Sequence, residues 1–177
     1  MTPAETCAAA IAPLVGNELA ITFVAIAGCE SSFGTNNQGD SGLGSPNCQG
    51  YTSFGAWQIN LPAHAGYLQS VTGSTNPCTW AQWLLNLHNN AVAAKHVFDR
   101  AGGSFHPWTT YNTGCYQHWR STATQAVNNL NHSTPSTASS GPPVPTETGM
   151  GPLFLLGGAV IGLLVLEDTL KAVKAVG

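Results

Sequence analysis

The chain has 177 residues, of which 7% are charged; 5 Lys and Arg against 8 Asp and Glu give a formal net charge of −3. A typical soluble domain carries about 25% charged residues. No Lys or Arg precedes Lys95, which excludes a basic nucleic-acid face, and 43% hydrophobic content with so few charges excludes disorder driven by like charge.

Residues 1–132 hold all five Trp, all four Tyr, all five Cys and all six His, and are expected to form one packed domain. Ala4 to Ala12 is an Ala-rich apolar run that Pro13 interrupts. Asn17 is the expected N-cap of the next helix, with Glu18 in its first turn. Leu19 to Cys29 reads as a buried helix ending near Glu30. Gly34 to Ser53, with five Gly and Pro46, reads as a long loop or loose hairpin. Gly55 to Asn60 reads as a short strand or a helix entrance. Thr79 is expected to cap a helix from Trp80, and Asn89 or Asn90 to cap another. In the latter, Ala91, Ala94, Phe98 and Ala101 share a face, and Gly102 and Gly103 stop it. A last helix covers about Tyr116 to Leu130. The expected class is mainly α (α+β), with a small β or loop-rich lobe.

Composition then shifts. Residues 133–148 contain eight Ser or Thr and four Pro; they cannot bury enough apolar surface to offset ordering, and read as an extended linker of up to about 50 Å. Met150 to Leu166 are seventeen residues without a charge, spanning about 26 Å as a helix, at the short end for a membrane span. We place a single transmembrane helix at 149–168 and a short tail at 169–177, with the lipid bilayer as partner. Gly158 and Gly162 form a GxxxG suited to a helix–helix dimer. Lys171 and Lys174 follow the span, so the tail is expected on the cytoplasmic side and residues 1–132 on the other. The N-terminus shows no basic n-region or adequate h-region. A virion, one with an internal membrane, would deliver the domain without secretion; a bacterial envelope with the domain facing the wall is the alternative.

Within residues 1–132, four carboxylates follow the first run: Glu18, Glu30, Asp40 and Asp99. Glu18 suits a helix first turn, and Asp99 beside Arg100 suits a surface role. Glu30 ends an apolar run, where desolvation would raise its pKa toward that of a general acid. A helix-end Glu turned to water is the plainer reading of that position alone.

Three stretches occur in order: Glu30-Ser31-x-Phe33-Gly34, Gly55-Ala56-Trp57-Gln58-Ile59-Asn60 and Thr110-Tyr111-Asn112-Thr113-Gly114. Pro107-Trp108 precedes the third, and Asn90-Ala91-x-x-Ala94 lies before it. Over about residues 15–120 this resembles the lytic transglycosylase and goose-type lysozyme family, closest in spelling to lysozyme-like domains of phage tail and virion proteins. Ala56 and Thr110 stand where that family usually has Leu and Ala, and Cys29 before the acid is less usual.

The resemblance implies a lysozyme-like fold and cleavage of peptidoglycan glycan strands, with Glu30 as catalytic acid. It implies that Tyr111 hydrogen-bonds Glu30, that Ser31 supports the acid or the N-acetyl side, that Gln58 contacts sugar, and that Asn112 is structural or at the rim. Trp57 and Trp108 are candidates to stack on sugar faces, with core packing as the alternative. A transglycosylase needs no second carboxylate: the N-acetyl group stabilises the cation, and Glu30 takes the proton of the 6-hydroxyl to give a 1,6-anhydro end. Scarcity of carboxylates favours that route. Asp40 as base for water would instead make a hydrolytic muramidase. A cellular wall-remodelling enzyme, a non-catalytic glycan-binding virion protein and a chitinase are the remaining readings.

No C-x-x-C or H-E-x-x-H occurs, so no metal and no cofactor is expected. Five cysteines allow two disulfides and one free thiol. Cys48–Cys78 is the pairing expected, because these two flank the loop region; full reduction is the alternative. His64, His106 and His118 lie near aromatic residues and are expected to pack or bind water.

Overall fold

The computed structural model describes residues 1–133 except Leu43. The linker, the span at 149–168 with Gly158 and Gly162, and the tail lie outside the described residues. Among those described, no helix is long and apolar enough to cross a membrane.

Helix α1 (Pro3–Val15) opens with a capping box. Thr2 Oγ1 accepts from Glu5 N–H at 3.2 Å, and Glu5 Oε2 accepts from Thr2 N–H at 2.8 Å. Pro13 does not end this helix but lies in its last turn. Its missing N–H leaves the carbonyl of Ala9 without a helical donor. Both residues are exposed. Helix α2 (Asn17–Ser31) begins one residue earlier than expected, because Gly16 at φ +78 takes the cap position and Asn17 is already helical. Leu19 is exposed, but Phe23 to Gly28 are all buried. The helix is apolar around most of its girth because α1 and the last helix, α7 (Tyr116–Ser133), both pack on it.

At Gly28 of α2 a side chain of α7 comes close: an added Cβ would lie 2.7 Å from Trp119 Cγ and 2.9 Å from Phe33 Cζ. The Phe33 ring reaches that point because Ser32 and Phe33 both adopt left-handed backbone, at φ +51 and +59.

The loose hairpin forms, and the strands are two residues each: β1 (Gln38–Gly39), β2 (Ser53–Phe54) and β3 (Ile59–Asn60), antiparallel in the order β1-β2-β3. Gly39, Ser53 and Asn60 align across the three strands. Asn60 also caps α3 (Leu61–Thr72), accepting from Ala63 N–H at 3.0 Å, so Gly55–Asn60 is both a strand and a helix entrance. The sequence reading had no helix at α3. A kink at His64 (φ −120, ψ 18) interrupts it.

Helix α4 (Pro77–Leu85) is capped by Asn76 rather than Thr79, and α5 (Leu87–Arg100) by Asn86 rather than Asn89 or Asn90. In each case an asparagine stands three or four residues upstream of the residue expected, and at α4 Pro77 supplies the first-turn φ. On α5, Ala91, Ala94 and Phe98 are buried as expected, joined by Asn90, Ala93 and Val97. A single turn, α6 (Thr109–Asn112), precedes α7 (Tyr116–Ser133). The aromatic core gathers on Phe23, with ring centroids of Phe105 at 4.8 Å, Phe98 at 5.4 Å and Trp108 at 5.9 Å.

Two disulfides form. Cys48–Cys78 ties the hairpin loop to α4, and Cys29–Cys115 ties the end of α2 to the segment before α7. Cys7 is a buried free thiol whose pKa burial pushes up to about 12.

Candidate active site

A cleft of about 540 Å³ lies between the end of α2, the small sheet and the segment entering α6. Glu30 stands in it, one residue before α2 ends. It is half-buried, and desolvation raises its carboxyl pKa. The negative charge of Asp40 adds to that rise, whereas the hydroxyl and backbone N–H of Thr110 oppose it.

Thr110 Oγ1 donates to Glu30 Oε1 at 2.5 Å. The expected donor was Tyr111. Its ring instead stacks on Tyr116, with centroids 4.7 Å apart, and packs on Phe105 at 5.3 Å. In the single turn of α6, successive side chains diverge by about 100°. The turn therefore aims Thr110 at the acid and Tyr111 at the aromatic cluster. The departure from the family spelling at Thr110 was the sequence signal for this contact.

Asp40 lines the same cleft as Glu30. It is exposed and holds left-handed backbone at φ +56. The Ser53 hydroxyl donates to its carboxylate, and Asn60 Nδ2 donates to Ser53 Oγ at 3.3 Å. The row Gly39–Ser53–Asn60 thus holds the second carboxylate from below. Gln58 also lines the cleft with positive φ (+47), and its Nε2 donates to Gly55 C=O at 2.9 Å and Asn36 C=O at 3.2 Å. A Cβ on Gly39 would sit 2.1 Å from Gln58 Oε1, so only glycine lets that amide lie against the strand. Left-handed non-glycine residues concentrate at functional sites, and Asp40 and Gln58 fit that pattern.

The other expected site residues take structural posts. Ser31 is buried; its hydroxyl donates to Ala56 C=O at 2.7 Å and accepts from Gly34 N–H at 2.7 Å, clasping the first motif to the second. Trp57 is fully buried and its indole donates to Phe23 C=O at 2.8 Å, so it packs and does not stack on sugar. Trp108 is 5% exposed, donates to Trp57 C=O at 3.0 Å, and shows only an edge to the cleft. Asn112 is exposed and braces the loop before α6: Oδ1 pairs with His106 Nδ1 and Nδ2 donates to His106 C=O, both at 2.8 Å. Asn90, expected as a cap, is instead buried in α5. Its Oδ1 accepts from Trp57 N–H at 2.9 Å and its Nδ2 donates to Phe54 C=O at 3.0 Å. Asp99 pairs with Lys95, one turn away. Among the described residues no cluster of His, Cys, Asp and Glu is arranged to hold a metal ion.

A half-buried acid and a second carboxylate lining one cleft are suited to glycosidic bond cleavage. A family model described as a lysozyme-like domain matches residues 7–110. The match takes in Glu30, Asp40, Gln58 and Thr110 and stops before Tyr111. Among curated proteins and solved structures nothing matches significantly. Such a domain points to peptidoglycan as substrate and to a wall-cleaving glycosidase or transglycosylase as activity. The helical body, the small sheet and the family match, which spans more than half of the sequence, make one assignment: the chain belongs to the lysozyme-like domain family.

Proposed function

We propose that the domain cleaves the β-1,4 bond between N-acetylmuramic acid and N-acetylglucosamine in peptidoglycan, with Glu30 as general acid. The observation that carries this is Glu30 itself: a carboxyl with a raised pKa, positioned by Thr110 in an open cleft. Protonated Glu30 gives its proton to the leaving glycosidic oxygen as the bond to C1 breaks and positive charge grows on the ring.

Two routes complete the reaction. In the transglycosylase route, the N-acetyl group stabilises C1, Glu30 removes the proton from the 6-hydroxyl, and that oxygen closes on C1. Scarcity of carboxylates in the chain supports it. In the hydrolytic route, Asp40 removes a proton from water, which attacks C1. The Ser53–Asn60 support under Asp40, and the effect of the Asp40 charge on Glu30, favour this second route. Both need Glu30, and only the second needs Asp40. Mass spectrometry of muropeptides released from purified peptidoglycan separates them. Hydrated reducing ends are expected, and anhydro ends would remove Asp40 from the mechanism.

We also propose that Met150–Leu166, followed by Lys171 and Lys174, anchors the enzyme in a membrane, with dimerisation through Gly158 and Gly162. The phage-like spelling of the second motif and of Pro107-Trp108 supports a virion as its setting and local wall opening at entry as its task. A cellular envelope enzyme is the second setting. Zymography of purified particles tests the first: a cleared band at the mass of this chain is expected, and its absence would refute it.

A further inference from the structure

A second groove, of about 670 Å³, opens beside the catalytic cleft between α3 and α5. Ala63, His64, Val97 and Pro107 line both, so the two hollows share a wall. Their chemistry differs. Glu30 and Asp40 face the cleft, whereas no carboxylate lines the groove. Its polar groups are Arg100, His64, His96, Tyr67 and Ser70.

Arg100 ends α5 and is exposed. It has no ion pair among the described residues, and the adjacent Asp99 is taken by Lys95. Residues 1–133 contain only three Lys or Arg, so a cation placed on this groove is not part of a general basic surface. Tyr67 and His96 stack with centroids 3.8 Å apart and planes 9° from parallel, forming a flat plate on the wall. Burial lowers the pKa of His64 and of His96, so both imidazoles serve as neutral hydrogen-bonding groups at pH 7.

We propose that this groove holds the peptide stem of the muramoyl sugar, with Arg100 paired to a stem carboxylate. The inference rests on the glycan-cleaving function proposed above. In peptidoglycan the sugars are neutral once the lactyl group is amidated, and the anionic groups are the carboxylates of the stem. An unpaired guanidinium facing the substrate therefore has its partner in the peptide and not in a further sugar. The stem leaves the glycan sideways, at the 3-oxygen of the muramoyl ring. A branch of that kind requires a second hollow joined to the first along its side, which is the arrangement of the groove and the cleft.

The test compares kcat/KM on soluble, uncrosslinked strands bearing stems with kcat/KM on the same strands stripped of stems by an amidase, their freed lactyl carboxylates then capped as methylamides. The wild type is expected to prefer the peptide-bearing strands. Arg100→Gln is expected to narrow that preference about tenfold, the effect of one lost charge-assisted hydrogen bond, and Arg100→Lys to restore part of it. Equal wild-type rates on both strands would overturn the proposal, as would an Arg100→Gln enzyme with the wild-type preference. Failure of the wild type to cut either substrate would instead overturn the underlying glycan-cleaving function, and the stem site with it.

Discussion

Asn90 offers the sharpest test of how the site is held. It is fully buried, and its amide spans the turn that leads into the second motif. A Cβ at Gly55 would lie 2.2 Å from Asn90 Nδ2, and Gly55 has φ +82, so this amide and this glycine fit each other. Asn90→Ala removes an acceptor from Trp57 N–H and a donor from Phe54 C=O. Both residues are at most 1% exposed, so water cannot replace the lost partners. Each unpaired buried group costs about 1–3 kcal/mol, giving about 2–6 kcal/mol for the two. At about 0.05–0.15 kcal/mol per residue, a domain of this size has about 7–20 kcal/mol in all. The variant is therefore expected to fold with its urea midpoint sharply lowered and its m-value kept. Asn90→Asp keeps the acceptor and, once ionised, loses the donor. The new carboxyl is buried, so its folded pKa is raised above the unfolded value and its stability contribution is lost as pH rises. Its deficit against wild type is expected to be large at neutral pH and to shrink in acid. A loss below about 0.5 kcal/mol for Asn90→Ala, or an Asn90→Asp variant as stable as wild type at pH 7, would show that the Asn90 amide does not hold the second motif.

Thr110→Val and Asp40→Asn should move the titration of the Glu30 carboxyl, followed by NMR, in opposite directions. The Thr110 hydroxyl lowers the Glu30 pKa and the Asp40 charge raises it. The titration should shift up in Thr110→Val and down in Asp40→Asn, and the alkaline limb of kcat/KM in Thr110→Val should follow it, since a general acid loses activity as pH rises through its pKa; shifts of one sign in both variants would contradict the assignment. Because the folded Glu30 pKa is raised, native stability is lost as pH climbs from the unfolded carboxyl value, about 4.3, through the folded one. Glu30→Gln should therefore melt higher than wild type at pH 7, with the gap closing below pH 4 in paired melting curves. The Cys29–Cys115 bridge joins the residue before the acid to the segment after Thr110. Replacing both cysteines with Ala is expected to cost about 2–4 kcal/mol in urea unfolding and to shift the pH profile in the same direction as Thr110→Val.

Much of the site was legible because three short motifs in order carry it. Glu30 at the end of an apolar helix, the loose hairpin, the α5 face and the Cys48–Cys78 bridge all follow from local pattern. What escaped reading depended on placement across the fold. Thr110 and Tyr111 are neighbours in sequence, and only the direction of the α6 turn decides which one meets Glu30. Asn90 has the residue type of a cap, but Asn86 is upstream and takes that role, leaving Asn90 to face the sheet. Trp57 offered the same residue type for stacking or packing, and its burial under Phe23 chooses packing. Asp40 stood in a Gly-rich loop without pattern. Its place in the cleft comes from the register that aligns Gly39 with Ser53 and Asn60, which no single-strand signal encodes.

On the function proposed, Glu30 supplies the proton for glycan cleavage. Muropeptide mass spectrometry on purified peptidoglycan digested with wild type and with Glu30→Gln tests it most directly, with the fold of both proteins verified by circular dichroism. Wild type is expected to release glycan fragments, and Glu30→Gln to release none above the no-enzyme control. Release by Glu30→Gln at a rate near wild type would contradict the account.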